Sequence, residues 1–294
     1  VLFRSMNCYN GEKYLREAID SVLSQTYTNW EVIFWDNQST DSTATIVKSY
    51  SDKRIKYFYA PKHSGLYAAR NCAIEKVNGE YIAFLDSDDI WYAEKLEEQL
   101  KLFVDNEVGF VCSNYNILNS QSNQIRKAFT KPIPCGYVFR LLAQDYRVGL
   151  LTLIIKKSAF DSLKEKFNSK FDIIGDYDAV FRLAMNFKMN ASQEILAIYR
   201  AHAKNYSNDR KLFFHELKFW LKFYEKKIID YDKKSFEILK NNYQSRLFKY
   251  YYSMNKRKEI IKLLSEFNLK LKVFSIILLL IPYRIIIISL NIKK

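Results

Sequence analysis

Hydrophobic residues in the first hundred positions follow two spacings. Between Gly11 and Thr26 they recur at steps of three and four, the pattern of an amphipathic helix, at Tyr14, Leu15, Ala18, Ile19, Val22 and Leu23. Shorter apolar runs bounded by polar residues indicate buried strands. The predicted strands are Trp30–Trp35, Ile55–Tyr59 and Tyr81–Leu85, and the other predicted helices are Ser42–Tyr50, Leu66–Val77 and Tyr92–Val104. This alternation predicts an α/β fold with a mostly parallel sheet flanked by helices.

After about residue 106 the hydrophobic pattern mixes strand-like and helix-like segments, and beyond Asp209 it is helical. Strands are predicted near residues 109–114, 150–155 and 195–200, and a helix begins near Asp176. Beyond Asp209 the chain is rich in Lys, Tyr and Phe, a mixture also found in surfaces that bind single-stranded nucleic acid. Helical spacing favours a packed amphipathic face instead, formed by Phe213, Leu217, Trp220, Leu221 and Tyr224.

A long apolar stretch, Val273–Leu290, lies near the end of the sequence. Its length is just sufficient for a membrane span, but Pro282 breaks a helix and Arg284 places a charge inside the stretch. We therefore expect residues 271–294 to form an apolar anchor at the membrane interface, with a buried helix pair as the alternative. Neighbouring lysines would then lie near anionic headgroups.

These patterns predict three further segments. Residues 6–207 form the main α/β domain, and residues 208–270 form a basic helical extension. Val1–Ser5 is interpreted as foreign to the native protein, because Arg4 interrupts the apolar first strand expected there.

The net charge of the chain is concentrated in its last part. The 294 residues carry 46 basic and 32 acidic groups, a formal charge of +14. Residues 1–150 hold 17 basic and 18 acidic groups, whereas residues 203–294 hold 21 and 8. A uniformly basic nucleic-acid binder would not divide in this way, so no nucleic-acid partner is expected. The four cysteines are scattered without a C-x-x-C pair, which argues against a zinc site and a disulfide framework.

Two acidic clusters directly follow predicted strands. Asp86, Asp88 and Asp89 follow one strand, and Asp36–Asp41 follows another. Because ligands bind at the carboxyl ends of strands in such sheets, both clusters should border one crevice. Carboxylates crowded in this way suit Mg²⁺ or Mn²⁺ together with substrate phosphates, with Arg70 assisting.

Simpler interpretations of the clusters remain open. Asp88 or Asp89 would cap a helix that begins near Trp91, and Asp41 would cap the helix that follows it. The sequence contains neither G-x-G-x-x-G nor G-x-x-x-x-G-K-[ST], so a dinucleotide fold or a P-loop lacks its phosphate-binding loop.

Several ordered runs resemble family 2 glycosyltransferases of GT-A fold, of the kind that build bacterial surface polysaccharides. They are Cys8-Tyr-Asn-Gly11, Gln25-Thr-Tyr with Trp30-Glu-Val-Ile33, Asp36-Asn-Gln-Ser-Thr-Asp41, Ala69-Arg-Asn71 and Gly79-Glu-Tyr-Ile-Ala-Phe-Leu-Asp-Ser-Asp-Asp89. The likeness covers about residues 6–205. It implies that residues 6–207 are a catalytic domain, with a donor half at about 6–114 and an acceptor half at about 115–207. It implies an inverting transferase that takes a sugar from a nucleotide donor, usually a UDP-sugar.

The resemblance also implies roles for single residues. On the donor side, Tyr9 and Asp36 would contact the nucleobase, Arg70 the nucleobase or diphosphate, and Asp86 the ribose. Asp88 would bind the metal, Mn²⁺ or Mg²⁺, and His202, in a run similar to Y-R-x-H-x-x-N-x-S, would approach the metal or diphosphate.

The segment Gly175-Asp-Tyr-Asp178 resembles the family's acceptor-side E-D-x-D pattern. It implies that Asp176 is the catalytic base, whereas a helix N-terminal role for Asp176 is the alternative. Asp178 is a weaker candidate, solvated or binding the acceptor. The chain departs from the pattern at Gly175, where Glu is usual, and at Asn37, where a second Asp is frequent.

We therefore expect a cytoplasmic enzyme, peripheral on the inner face of the cell membrane. Its partners would be a nucleotide-sugar donor, a glycan or lipid-linked saccharide acceptor and the membrane surface. A metal-dependent nucleotidyltransferase and a non-catalytic membrane- or RNA-binding protein are the alternatives. A nucleotidyltransferase would typically need a Gly-rich basic loop after the first strand, and the segment Tyr9-Asn-Gly-Glu12 is not such a loop.

Overall fold

The computed structural model describes residues 2–264, with side chains from residue 6 onward. The chain divides into two compact units, residues 1–209 and residues 210–294. The predicted anchor at residues 271–294 lies outside the described residues.

The first unit begins with four parallel strands, in the order β3-β2-β1-β4. The strands are β1 (Leu2–Cys8), β2 (Trp30–Asp36), β3 (Ile55–Tyr59) and β4 (Tyr81–Phe84), and the helices between them are α1 (Leu15–Leu23), α2 (Thr43–Lys48) and α3 (Leu66–Ile74). β2 is buried almost throughout, as expected for a parallel strand covered on both faces. The backbone of β1 pairs with both neighbours from Leu2 onward, so Arg4 does not break the pairing of the strand, and the foreign origin of Val1–Ser5 stays a prediction.

The remaining strands make the sheet mixed rather than mostly parallel. The order continues as β8-β6-β9-β5, with β7 on β6; only β6 and β9 pair in parallel, and the other pairs are antiparallel. The elements are β5 (Ile90–Trp91), α4 (Lys95–Leu100), β6 (Val108–Asn119), β7 (Ile125–Lys127), α5 (Phe139–Gln144), β8 (Ile154–Lys156), α6 (Lys157–Asp161), α7 (Gly175–Ala184) and β9 (Lys188–Ala201).

The predicted helix at Tyr92–Val104 is too long. Trp91 lies in β5, which pairs with β9, and α4 begins only at Lys95. Neither Asp88 nor Asp89 therefore caps a helix beginning near Trp91, and that interpretation is wrong.

The described part of the second unit, residues 210–264, is helical. It contains α8 (Arg210–Ser253), which is broken at Asp232, where the backbone is extended (φ −159°, ψ 92°), and α9 (Arg257–Leu264). Leu217, Trp220 and Leu221 are buried, which confirms a packed face at that spacing. Among residues 2–264 no helix combines the length and the apolar character that a membrane crossing needs.

Candidate active site

Three loops meet at one edge of the sheet because β1 lies between β2 and β4 and all three strands are parallel. The loops that follow these strands carry Tyr9, the Asp36–Asp41 cluster and the Asp86–Asp89 cluster. The expectation that both acidic clusters lie at the same edge is confirmed.

The loop after β1 is held between the other two. The backbone N–H of Asn10 donates to Ser39 Oγ at 3.0 Å, and that of Glu12 donates to Asp41 Oδ2 at 3.0 Å. On the other side, a Cβ at Gly11 would lie only 2.8 Å from Ser87 Oγ, so a side chain at this position would force the loops apart. Gly11 is therefore a packing requirement of the site.

Asp36 is fully buried and its carboxylate is used within the protein. Ser39 N–H donates to one oxygen and the Tyr57 hydroxyl to the other, both at 2.7 Å. Burial, with Asp36 adding to it, raises the pKa of Tyr57, so this hydroxyl keeps its proton. Asp36 thus holds the loop in shape, and this placement leaves no exposed carboxylate oxygen for a nucleobase.

Tyr9 is the exposed member of the predicted nucleobase pair, with 53% of its surface accessible. Its ring meets the edge of His63, with the ring centroids 4.5 Å apart. His63 Nδ1 lies 2.9 Å from the carbonyl oxygen of Asn37, which ties the two loops together. Tyr9 and His63 form an aromatic corner at the mouth of the site.

Asn37 explains one departure from the family pattern. Its Nδ2 donates to the carbonyl of Ser64 at 2.8 Å, and its Oδ1 accepts from Ser64 N–H at 3.2 Å. An Asp could accept but not donate, so the amide suits this contact better than the frequent carboxylate. Asn37 anchors the segment that leads into α3.

The buried Arg70 forms an ion pair with the more exposed carboxylate of Asp86. Arg70 is 3% exposed, and its Nη2 donates to Asp86 Oδ1 at 2.6 Å. Burial opposes the charged guanidinium, but Asp86, Tyr67 and Asp176 together outweigh it and the pKa of Arg70 is raised. Arg70 Nη1 is also buried and has no hydrogen-bond partner among the residues that the structure describes. A buried cationic N–H group without a partner is suited to a ligand anion.

Asp88 faces His202 and Asn205. Its Oδ2 lies 2.9 Å from His202 Nε2 and accepts from Asn205 Nδ2 at 3.2 Å. Because Lys204 N–H donates to His202 Nδ1 at 3.2 Å, the proton of the neutral imidazole is on Nε2 and is donated to Asp88. Burial, and then the charge of Asp86, raises the pKa of Asp88.

Asp89 turns away from the crevice and binds the backbone of β9. Its Oδ1 accepts from Arg200 N–H at 3.0 Å, while Arg200 Nε donates to the Asp88 carbonyl at 3.0 Å. Arg200 also pairs with Glu17 at 2.6 Å. Burial and the charges of Asp88 and Asp86 raise the pKa of Asp89. Arg200 thus holds the Asp86–Asp89 loop against β9, and His202, two residues further along the chain, lies beside Asp88.

Asp176 lies in the first turn of α7 and receives a hydrogen bond from Tyr67 of α3, at 2.8 Å between Oη and Oδ1. Burial raises the pKa of Asp176, whereas this hydrogen bond and the Arg70 charge lower it in part. The Arg70 guanidinium lies 4.9 Å from the centre of the Tyr67 ring. Asp176, Tyr67, Arg70 and Asp86 therefore form one continuous chain of contacts.

Asp178 is placed differently from Asp176, although only one residue separates them. Its side chain is fully buried, and Arg182 Nε donates to Oδ2 at 2.8 Å. Arg182 also donates to the carbonyls of Glu165 and Lys166. This arrangement excludes a solvated Asp178, because its carboxylate is enclosed with Arg182.

Residues 6–175 match the family described as Glycosyl transferase family 2, which covers more than half of the chain. The chain belongs to glycosyl transferase family 2. The UDP-Glc:alpha-D-GlcNAc-diphosphoundecaprenol beta-1,3-glucosyltransferase WfgD of Escherichia coli is 38% identical over 167 residues, covering 57% of this chain and 64% of WfgD. The chain spans less than two thirds of the length of the curated relatives it matches, 59–64% for three of them.

Solved structures agree in fold with this family 2 chain. S. aureus TarS 1–349 in complex with UDP-GlcNAc has a TM-score of 0.66 at 17% identity, covering 90% of this chain and 80% of that one. The mannosyltransferase PcManGT from Pyrobaculum calidifontis, in complex with GDP-Man and Mn²⁺, has a TM-score of 0.64 at 17% identity, covering 96% and 81%. At these identities the likeness shows the fold alone, and it confirms the expected GT-A-like architecture.

The donor set at Asp88 fits a divalent cation that shares its ligands with a substrate. One carboxylate and one imidazole converge there, and Mn²⁺ accepts both kinds of ligand. In the part of the chain that the structure describes, no group of three His, Cys, Asp or Glu side chains could hold a metal ion. A cation at Asp88 would therefore take its other ligands from phosphate oxygens and water, as Mg²⁺ usually does.

The sequence alone assigns no role to three residues of this family 2 site. Asn71 lies in the quoted Ala69-Arg-Asn71 run, but only the structure shows it bound twice to the backbone of Phe167. Arg200 likewise stood in a quoted run without a role. Tyr67 carried no signal beyond its position one turn before Arg70, because its partner Asp176 is 109 residues away.

Proposed function

We propose that this protein is an inverting glycosyltransferase that moves a sugar from a UDP-sugar to a hydroxyl of a lipid-linked saccharide. One observation carries the proposal: the contact chain from Asp176 through Tyr67 and Arg70 to Asp86, with the Asp88–His202 pair beside it. A candidate base and a candidate diphosphate site thus border the same crevice. Family membership supports glycosyl transfer over nucleotidyl transfer and over a non-catalytic role.

On the donor side, Tyr9 would stack against the nucleobase and Asp86 would accept from the ribose hydroxyls. Asp36 would act indirectly by holding the loop that frames the base. The partnerless Arg70 Nη1 would donate to the diphosphate, where its charge stabilises the negative charge that grows on the leaving group.

At the reacting centre, Asp176 would accept the proton of the acceptor hydroxyl as the new bond forms. The oxygen attacks the anomeric carbon from the side opposite the departing UDP, so one displacement inverts the configuration. Asp176 must be ionised for this role, and its hydrogen bond from Tyr67 and the nearby Arg70 both favour the carboxylate.

Asp88 and His202 would hold Mn²⁺ or Mg²⁺. When bound, such an ion neutralises part of the charge on the diphosphate. Asp88 suits this position because its burial and its neighbour Asp86 favour a cation beside it.

The acceptor is proposed from similarity and from charge. The name of the related WfgD describes a diphosphoundecaprenol-linked GlcNAc, and a lipid-linked saccharide of this type is our proposal for the present chain. The basic residues 203–294 and the apolar residues 271–294 support a cytoplasmic enzyme that lies on the inner face of the cell membrane.

The test is turnover of a nucleotide-sugar panel by the full chain. UDP-Glc, UDP-GlcNAc, UDP-Gal and GDP-Man are incubated with MnCl₂ or EDTA, with and without a synthetic diphosphate-lipid-linked GlcNAc. We expect UDP release that needs Mn²⁺ and is much faster with the acceptor than without it, and a product of inverted anomeric configuration by NMR. Pyrophosphate release from a nucleoside triphosphate and a sugar phosphate would instead establish nucleotidyl transfer. Salt-sensitive RNA binding without any turnover would establish the non-catalytic alternative.

A further inference from the structure

We propose that Tyr67 of α3 is the positioning residue of the catalytic base: its hydroxyl orients the Asp176 carboxylate, and the absence of a side chain at Gly175 makes room for its ring. This inference rests on the proposed function, in which Asp176 is the base. No motif quoted from the sequence includes Tyr67.

The hydroxyl of Tyr67 is directed at one carboxylate oxygen. It lies 2.8 Å from Asp176 Oδ1 and 3.3 Å from the carbonyl of Ile173, so Asp176 is the better acceptor. Tyr67 is only 2% exposed, and Phe167 packs against its ring with the centroids 5.1 Å apart. A buried, packed hydroxyl has little freedom to rotate elsewhere, so it fixes where the Asp176 oxygen points.

Gly175 and the Tyr67 ring occupy complementary space. A Cβ at Gly175 would lie 2.5 Å from Tyr67 Cδ2 and 2.6 Å from Cε2, closer than any side chain tolerates. A Glu at this position, as the family pattern has it, would therefore displace the ring. The departure at Gly175 is explained by the tyrosine that fills the space beside it.

The groups that face Asp176 determine how its protonation responds. Tyr67 and Arg70 come from α3, Tyr115 from β6 and Tyr146 from the loop after α5. Burial raises the pKa of Tyr67 far above its usual range, so it remains a donor at neutral pH. Because the donated bond favours the carboxylate, its loss raises the pKa of Asp176 further, and activity is then lost at a higher pH during acidification.

Tyr67→Phe is the direct test, since it keeps the ring and removes the hydroxyl. We expect the acidic limb of the kcat–pH profile to move up by about one pH unit, so that kcat at a pH well down that limb falls about tenfold. At pH 9 kcat should return to within about threefold of the unaltered enzyme, and the Kd for UDP should not change. Tyr50→Phe is the matched control: its hydroxyl also binds a carboxylate, that of Asp20 at 2.8 Å, but outside the site.

A loss of kcat by the same factor at every pH would indicate a merely structural Tyr67 and would overturn the inference. An unaltered profile would overturn it too. Asp176→Asn separates this failure from that of the proposed function: if Asp176→Asn is inactive while Tyr67→Phe behaves as the unaltered enzyme, only the positioning role fails. If Asp176→Asn keeps normal turnover, the assigned base itself is wrong and both fail.

The shared space is tested by combining two substitutions. Gly175→Ala alone should lower kcat at least about tenfold because the added methyl displaces the ring. In a Tyr67→Ser background the same change should lower kcat by less than about twofold, since the ring is gone. Non-additivity of this kind identifies residues in direct contact. Equal losses of kcat in both backgrounds would contradict the proposed contact between the Tyr67 ring and Gly175.

Discussion

The carboxylates at the sheet edge are neutralised in different ways. Asp36 and Asp41 are satisfied by donors within the protein: Asp41, which precedes the N-cap residue Ser42 of α2, accepts from Thr43 N–H and from Glu12 N–H, both at 3.0 Å. Only Asp86 and Asp88 are left to face the crevice, and they meet Arg70 and His202. The idea that both clusters need a cation between them is therefore too broad, because only the second cluster presents charge to a ligand.

At the residue scale we predict that Asp176→Asn abolishes transfer without unfolding the protein. Asparagine has the same shape and can accept from Tyr67, but it cannot take a proton from the acceptor. Loss of a general base costs about 10²–10⁴-fold in rate, so kcat should fall by that factor. Turnover is followed by UDP release, and UDP binding by calorimetry should change by less than about threefold. Normal transfer by this variant would exclude Asp176 as the base.

The neighbouring substitution Asp178→Asn should behave in the opposite way. It breaks a buried ion pair with Arg182 and leaves that cation uncompensated, which costs about 3–5 kcal/mol of unfolding free energy. Urea denaturation measures the loss, and protein that remains folded should retain a kcat near that of the unaltered enzyme. An inactive but fully stable Asp178→Asn would mean that Asp178 works in catalysis after all.

At the element scale, α3 links the two halves of the site. Tyr67, Arg70 and Asn71 stand three and four positions apart, so they share one face of the helix and reach Asp176, Asp86 and Phe167 respectively. One short helix thus sets the distance between the candidate base and the donor-side ion pair.

We predict that Asn71→Ala weakens both the fold and the activity. It removes a donor and an acceptor from the buried backbone of Phe167, and unsatisfied groups of this kind cost about 1–3 kcal/mol each. Denaturation midpoint and kcat should fall together because α3 no longer holds Tyr67 in place. Asn119→Ala is the comparison, since Asn119 accepts from Gln121 and Ser122 in an exposed turn where water can replace it. Equal effects of the two substitutions would contradict the prediction.

Local pattern predicted some elements well and others poorly. β2 and β3 were placed within one residue, because their apolar runs are short and bounded by polar turns. β6 was cut short, since its end is stabilised by pairing with β9 rather than by its own composition. The roles of Asp89 and Tyr67 depend on partners more than 100 residues away, and no local spacing encodes such contacts. The motif runs nevertheless placed Arg70, Asp86, Asp88, Asp176 and His202 around one edge of the sheet.

At the scale of the whole molecule, charge separates the two ends of the chain. Residues 1–150 are nearly neutral, whereas residues 203–294 carry most of the excess positive charge. A neutral catalytic body with a basic extension would be drawn to an anionic surface mainly through that extension.

We predict that deleting residues 271–294 releases the protein from vesicles that contain anionic lipid. Both the apolar stretch and three lysines, Lys272, Lys293 and Lys294, are lost, so the bound fraction in flotation should fall at least about fivefold. Hydrolysis of a UDP-sugar in free solution should continue, because the candidate site lies within residues 9–202. Unchanged flotation would refute the anchor, and retained flotation in high salt would point to apolar rather than electrostatic binding.

The contact between the Tyr67 ring and Gly175 has a consequence for ancestry. A lineage that keeps an aromatic residue at position 67 cannot acquire a bulky residue at position 175. A protein with both would lose activity, so evolution cannot pass through that combination either. The two sites, 108 residues apart, should therefore be inherited as a pair: descendants with a small residue at 67 are free to regain glutamate at 175, and those with tyrosine at 67 retain glycine.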